Sequence, residues 1–95
     1  MATFVALGRT TDDGMRQMDN LAFRHEHAKE RVEEAGGKVV CSYALLGRYD
    51  YLVVLDFPDE SAAMRFLSKE ASRGHVRYET MSAISMKDFG DVVES

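Results

Sequence analysis

The chain has 95 residues, enough for one domain spanning 1–95, and folding removes roughly two-thirds of such a chain's unfolded surface from water. Sixteen acidic against twelve basic residues give a net charge of -4, and the basic residues are scattered without a run or an interleaved aromatic stripe. Counterion release needs clustered cations, so no nucleic acid and no anionic membrane is expected as a partner.

The first strand is predicted over residues 2–9, "ATFVALGR", which are apolar and partly β-branched. The opening "MATFVALGRT" lacks a basic region followed by a long apolar segment, so no signal peptide is expected. "TTDDG" then offers Thr11, Asp12 or Asp13 as a helix cap, since a side-chain oxygen there accepts free N–H groups of the first turn. A helix is predicted from about Gly14 to Ala35, with Met15, Met18, Leu21, Ala22, Ala28, Val32 and Ala35 on its apolar face. Gly36 and Gly37 stop it.

A second strand is predicted over Lys38 to Leu46, then a turn at "GRYD" and a third strand over Tyr51 to Phe57. Pro58 disfavours helix at Phe57, and Asp59 is placed to cap a helix over Glu60 to Ser72, with Ala63, Phe66, Leu67 and Ala71 inward. Gly74 ends that helix, a fourth strand follows from Val76 to Met86, and the tail "KDFGDVVES" forms one more turn. Tyr51 to Leu55 is the longest apolar run, far too short to span a bilayer.

The order is βαββαβ. With right-handed crossovers this is the ferredoxin-like α+β arrangement, a four-stranded antiparallel sheet with two helices on one face. Neither the second nor the third strand alternates cleanly between apolar and polar, so both sheet faces are expected to be buried, the second by another copy of the chain. The resulting homodimer, or a higher oligomer, would hold a small ligand between sheet and helix or between subunits. Asp56 shares a face with Leu52 and Val54. A buried unpaired carboxylate costs several kcal/mol, so Asp56 must find a partner, become protonated or sit at the strand's wet end; Phe57-Pro58 follows at once and favours the wet end, at a cavity mouth or sheet edge.

These residues resemble the GYD domain family, whose naming motif stands here as Gly47-Arg48-Tyr49-Asp50. The likeness continues through Asp56-Phe57-Pro58-Asp59 and "GHVRYETMSA", residues 74–83, with "TTDDG" and "AGGK" in place. His75, His25 and His27 depart from the family's pattern. The resemblance implies the dimeric α/β-barrel form of the ferredoxin-like fold and no particular reaction. A more distant likeness is to the ligand-sensing module of leucine-responsive-type regulators, where the corresponding strand and turn contribute to amino-acid binding at subunit interfaces. No helix-turn-helix precedes it here, which would imply a stand-alone sensor.

Gly47 and Asp50 are expected to shape a tight strand connection, with Asp50 bonding backbone N–H groups. His25 and His27 lie about 200° apart around a helix and cannot chelate one ion. His25 falls on the apolar stripe and reads as a satisfied core or interface group, with a proton shuttle or axial haem ligand as the functional alternative; His27 is expected to be solvated. Cys41, the single cysteine, fits a reducing cytoplasm and a buried strand thiol. No phosphate loop, nucleophile elbow or zinc spacing occurs, so no cofactor is expected.

The leading reading is a non-enzymatic homo-oligomeric module binding a small polar or amphipathic ligand with some of Tyr43, Tyr49, Asp50, Asp56, Arg77 and Thr80. An accessory subunit of a larger complex comes second. A cofactor-free oxygenase or isomerase, using Asp56 or His25 as general base, comes third.

Overall fold

The computed structural model describes residues 1–95. The strands β1 (Ala2–Thr10) and β3 (Tyr51–Phe57) form the centre of a four-stranded sheet ordered β2-β3-β1-β4, with β2 (Lys38–Ala44) and β4 (Val76–Ala83) at its edges. Every pairing is antiparallel. The two most apolar strands thus occupy the positions where both neighbours are strands.

Directly paired residues share a face of an antiparallel sheet. The pairs Phe4–Leu55, Ala6–Val53 and Gly8–Tyr51 therefore point to one side, and β4 adds Val76, Tyr78, Thr80 and Ser82 there. The helices α2 (Leu21–Glu34) and α3 (Glu60–Ser72) cover this side. Phe4, Leu55 and Phe57 from the sheet close with Val32 of α2 and Ala63 and Phe66 of α3 into the core. The Phe57 and Phe66 rings pack at 5.4 Å between centroids.

Local chemistry sets the helix ends. Asp59 caps α3 by accepting from the Ala62 N–H at 2.8 Å. Gly36 ends α2 with φ +86, while the Gly36 and Gly37 N–H groups return to the Glu33 and Val32 carbonyls at 3.0 and 2.9 Å.

The single helix predicted over 14–35 is divided. A short α1 (Asp12–Arg16) and a 3-10 turn (Met18–Asn20) precede α2. Thr11 caps α1 through its hydroxyl, at 3.1 Å from the Gly14 N–H, and its own N–H donates to the His75 carbonyl at 3.0 Å. Gly14 is buried so close to that carbonyl that a Cβ would sit 2.2 Å from it. The first turn is therefore pinned to the start of β4, whereas α2 follows the sheet, and the chain leaves helical geometry at Gln17 to change direction. Consequently Met15, assigned to the apolar face, is 59% exposed, and Ala22 and Ala35 are exposed too.

Three further boundaries differ. β2 ends at Ala44 and carries a bulge between Val39 and Cys41, which breaks its side-chain parity. Val39, Ser42 and Ala44 turn to the helix side, and Cys41 and Tyr43 to the other. β4 stops at Ala83, and the tail forms the nine-residue helix α4 (Met86–Glu94), capped by the Ser85 hydroxyl at 3.0 Å from the Asp88 N–H. α4 leaves Met86, Phe89, Val92 and Val93 exposed.

The side of the sheet away from α2 and α3 carries Val5, Leu7, Leu52, Val54 and Met81, an apolar strip across three strands. Met81 is 43% exposed there.

Candidate functional site

The helix side of the sheet is filled at one end only. Toward the other end, where β1 presents Gly8 and β3 presents Tyr51, α2 stands away from the strands and a groove of about 540 Å³ opens between them. That volume lies in the range of small-molecule sites. A Cβ on Gly8 would meet Val76 at 2.8 Å and the Tyr78 ring at 3.0 Å. The missing side chain thus lets the Tyr78 ring settle across the strand and form the groove's floor. Apolar walls come from Leu21 and Ala28 of α2 and from Val53 and Val76 of the sheet.

Polar groups converge on these walls. Arg31 of α2 donates through Nε and Nη2 to the two carboxylate oxygens of Glu70 on α3, at 2.6 and 3.0 Å. The pair is largely withdrawn from water, with Glu70 only 12% exposed. The hydrogen bond to Glu70 raises the Arg31 pKa above its ordinary value, against burial that lowers it. Arg73 approaches the same carboxylate at 3.7 Å. Burial pushes the Tyr78 phenol up, with the Glu70 charge and Tyr51 adding to the rise, so Tyr78 stays a protonated donor. The Tyr51 hydroxyl meets the Met18 sulfur at 3.7 Å.

His25 does reach a partner on the sheet: its Nε2 lies 3.1 Å from the Ser42 hydroxyl. No carboxylate bonds to this imidazole, so the pair lacks the orienting acid of a hydrolytic triad. His27 is exposed, 3.9 Å from Glu30, and stacks on Phe23 at 4.2 Å. Cys41 is half-buried on the side of the sheet away from α2.

The six residues proposed from the sequence fall in separate places. Tyr43 borders the groove from the edge strand but is 63% exposed. Asp50 ties the β2–β3 connection to β1: its carboxylate accepts from the Thr10 N–H at 2.8 Å, and its own N–H donates to the Gly8 carbonyl at 2.8 Å. Tyr49 donates to Glu79 at 2.5 Å, a bond that raises the phenol's pKa, and the Arg9 guanidinium stacks 5.1 Å from its ring. Arg77 pairs with Arg9 across the sheet and lines a shallow polar hollow beside α1. Asp56 accepts from the Thr3 hydroxyl at 2.6 Å on the side of the sheet away from the groove. Thr80 lies on the helix side, opposite Ala6, and is exposed. The structure brings Tyr49 and Arg77 to the same end of the sheet and leaves Asp56 and Thr80 apart from them.

Arg31, Glu70, Tyr51, Tyr78 and Ser42 were missed in the sequence. A signal existed for two of them. Arg31 follows Ala28 by three residues and Glu70 follows Phe66 by four, so each apolar stripe carries one inward charge, and the two charges are opposite.

A four-stranded antiparallel sheet with its helices packed on one side and a groove beneath them defines a ferredoxin-like α+β protein. More narrowly, the chain belongs to the GYD domain family, whose model matches residues 4–93. It is 35% identical over 89 residues to the glutamine synthetase and cystathionine beta-lyase binding protein of Thermus thermophilus, covering 93% of this chain and 94% of that one. Among solved structures it is similar to a feast or famine regulatory protein from M. tuberculosis complexed with L-methionine, with a TM-score of 0.66 and 17% identity. The match covers 90% of this chain but spans about half, 52%, of that protein, and the likeness is one of fold.

Proposed function

We propose that this chain is a self-associating binding module that holds a small amphipathic molecule in the groove between α2 and the sheet. The observation that carries the reading is the groove itself: about 540 Å³ of space with apolar walls, into which the Arg31–Glu70 pair, His25 and two tyrosines converge. A groove of this volume with mostly apolar walls and a few convergent polar groups has the size and chemistry usual for a small-molecule site. Self-association is supported by the apolar strip of Val5, Leu7, Leu52, Val54 and Met81 on the far side of the sheet, where a second copy would exclude water.

The test is to denature freshly purified protein and identify released small molecules by mass spectrometry, alongside Ala28→Trp, which fills the groove from α2. The reading expects the wild-type chain to release an amphipathic molecule in near-stoichiometric amount and the variant to release none. Equal release from both, or none from either, would contradict it.

A second reading is favoured by the Thermus relative, which is named for binding two enzymes. On that reading the chain is an accessory protein for a partner enzyme, and the exposed apolar side chains of α4 would take part in the contact. Co-purification with a defined enzyme that is lost on Phe89→Ser supports it; unchanged co-purification excludes α4 as the contact.

A further inference from the structure

The charge of the groove is the reverse of the charge of the chain. The whole protein is net -4. Among the residues lining the groove are three arginines, Arg24, Arg31 and Arg73, and a single acid, Glu70, which leaves an excess of two positive charges before any histidine is protonated. Glu70 cannot neutralise all three. It is engaged through both oxygens by Arg31, and Arg73 stands beside it at 3.7 Å.

Arg24 forms no ion pair. Its Nη1 donates to the Gln17 carbonyl at 2.9 Å, which holds the guanidinium at the groove's α1 end without cancelling its charge. Arg31 spends Nε and one Nη2 proton on Glu70, so its Nη1 protons remain for another acceptor. A guanidinium kept in place by neutral carbonyls or by a shared carboxylate is a prepared anion receptor, because its order is established before the ligand arrives.

The rest of the lining decides the ligand's body. Ten of the eighteen lining residues are hydrophobic. Phe23, Tyr51 and Tyr78 are among the lining residues, and the missing side chain at Gly8 leaves room for the Tyr78 ring beside the strand. Such walls suit an aromatic body carrying one compact charge, whereas a doubly charged head would lose more hydration than this apolar setting returns.

Resting on the reading of the groove as a ligand site, we propose that its ligand is a monocarboxylate carrying an aromatic ring, with the carboxylate toward the lining arginines of α2 and of the α3 C-terminus and the ring against Tyr51 and Tyr78. The anion's positive surroundings attract it from solution although the protein as a whole repels it, so association weakens with salt.

The test uses the 95-residue chain and four phenyl probes that differ in head group: 3-phenylpropanoate, its amide, 3-phenylpropylamine and phenyl phosphate. Affinity is read by calorimetry, and location by amide shifts of Ala28, Val53 and Tyr78 in NMR. The carboxylate should bind and shift those amides, and the amide should bind about tenfold or more weakly, as expected when a charge-assisted hydrogen bond is lost. The amine should not bind. Arg24→Gln and Arg73→Gln, both outside the core, should each weaken the carboxylate several-fold and leave the amide unaffected.

If amide and amine shift the same amides as strongly as the carboxylate, the groove is a ligand site without charge selection; the proposal then fails and the reading beneath it stands. If phenyl phosphate alone binds, the head-group assignment is overturned. If no probe of any charge shifts those amides, the proposal and the ligand-site reading fail together.

Discussion

The two ends of the helix-covered side of the sheet are built from the same strands yet do opposite things. At one end Phe4, Leu55 and Phe57 meet Val32, Ala63 and Phe66, and Phe57 is completely buried. At the other, β1 offers Gly8 where four residues earlier it offers Phe4, and β3 offers Tyr51 where six residues later it offers Phe57. Replacing bulk by a glycine and phenyl rings by phenols turns a closed core into an open groove with hydrogen-bonding walls. The closed end supplies the stability that allows the open end to stay unfilled.

The contrast can be broken at either end. Phe57→Ala removes the most buried side chain and should cost about 3–5 kcal/mol in denaturant unfolding, the largest effect of any single change proposed here. A loss under about 1 kcal/mol would mean that this end is as loosely packed as the groove. Glu70→Gln keeps the shape of the groove's ion pair but removes its charge, leaving Arg31 with a weaker acceptor. It should cost about 1–3 kcal/mol, measured the same way.

A smaller effect should separate the two ends by pH. Tyr78 is held protonated in the folded chain, above its ordinary value of 10.0, chiefly by burial. The folded state therefore binds this proton more tightly than the unfolded state. The corresponding stability is fully present below the ordinary phenol value and is lost as pH rises past it toward the folded one. Wild-type protein should lose stability on that alkaline limb, and Tyr78→Phe should lessen the loss, leaving the part that the raised Tyr49 phenol contributes, while changing nothing at neutral pH. An unchanged limb would place Tyr78 in water. Smallest of all, Val54→Lys on the far side of the sheet should change the stability of an isolated chain by about 1 kcal/mol or less, since no helix covers it.

Much of the fold was legible because it follows from local rules. Asp59 and the glycine pair at 36 and 37 punctuate the chain by capping chemistry, and α3 runs from Glu60 to Ser72 as its periodicity predicted. The break at Gln17 was not legible, because its cause is the contact of Gly14 with the His75 backbone, a meeting of residues sixty-one apart in sequence. The bulge in β2 was hidden for a similar reason: alternation in Val39, Val40 and Cys41 is equally apolar in either parity. α4 exceeds the single turn predicted for the tail: Ser85 and Asp88 stand at capping distance, and Phe89, Val92 and Val93 recur at helical spacing.

The candidate site was less legible than the fold. The "GRYD" turn and Asp56 are conspicuous in one dimension. In space Asp50 fastens that turn to β1, and Asp56 accepts from Thr3 on the other side of the sheet. The groove is instead marked by two charges on separate apolar stripes, Arg31 and Glu70, thirty-nine residues apart, which only the packing of α2 against α3 brings together.

The proposed function divides the labour of the sheet, with a ligand within one chain, under α2, and a second copy against the opposite side. Native mass spectrometry of the wild-type protein beside Val54→Lys tests it most directly. The wild-type protein should be an oligomer carrying extra mass, and the variant monomeric yet carrying the same extra mass per chain. Extra mass that disappears together with the oligomer would place the ligand between subunits and contradict the account.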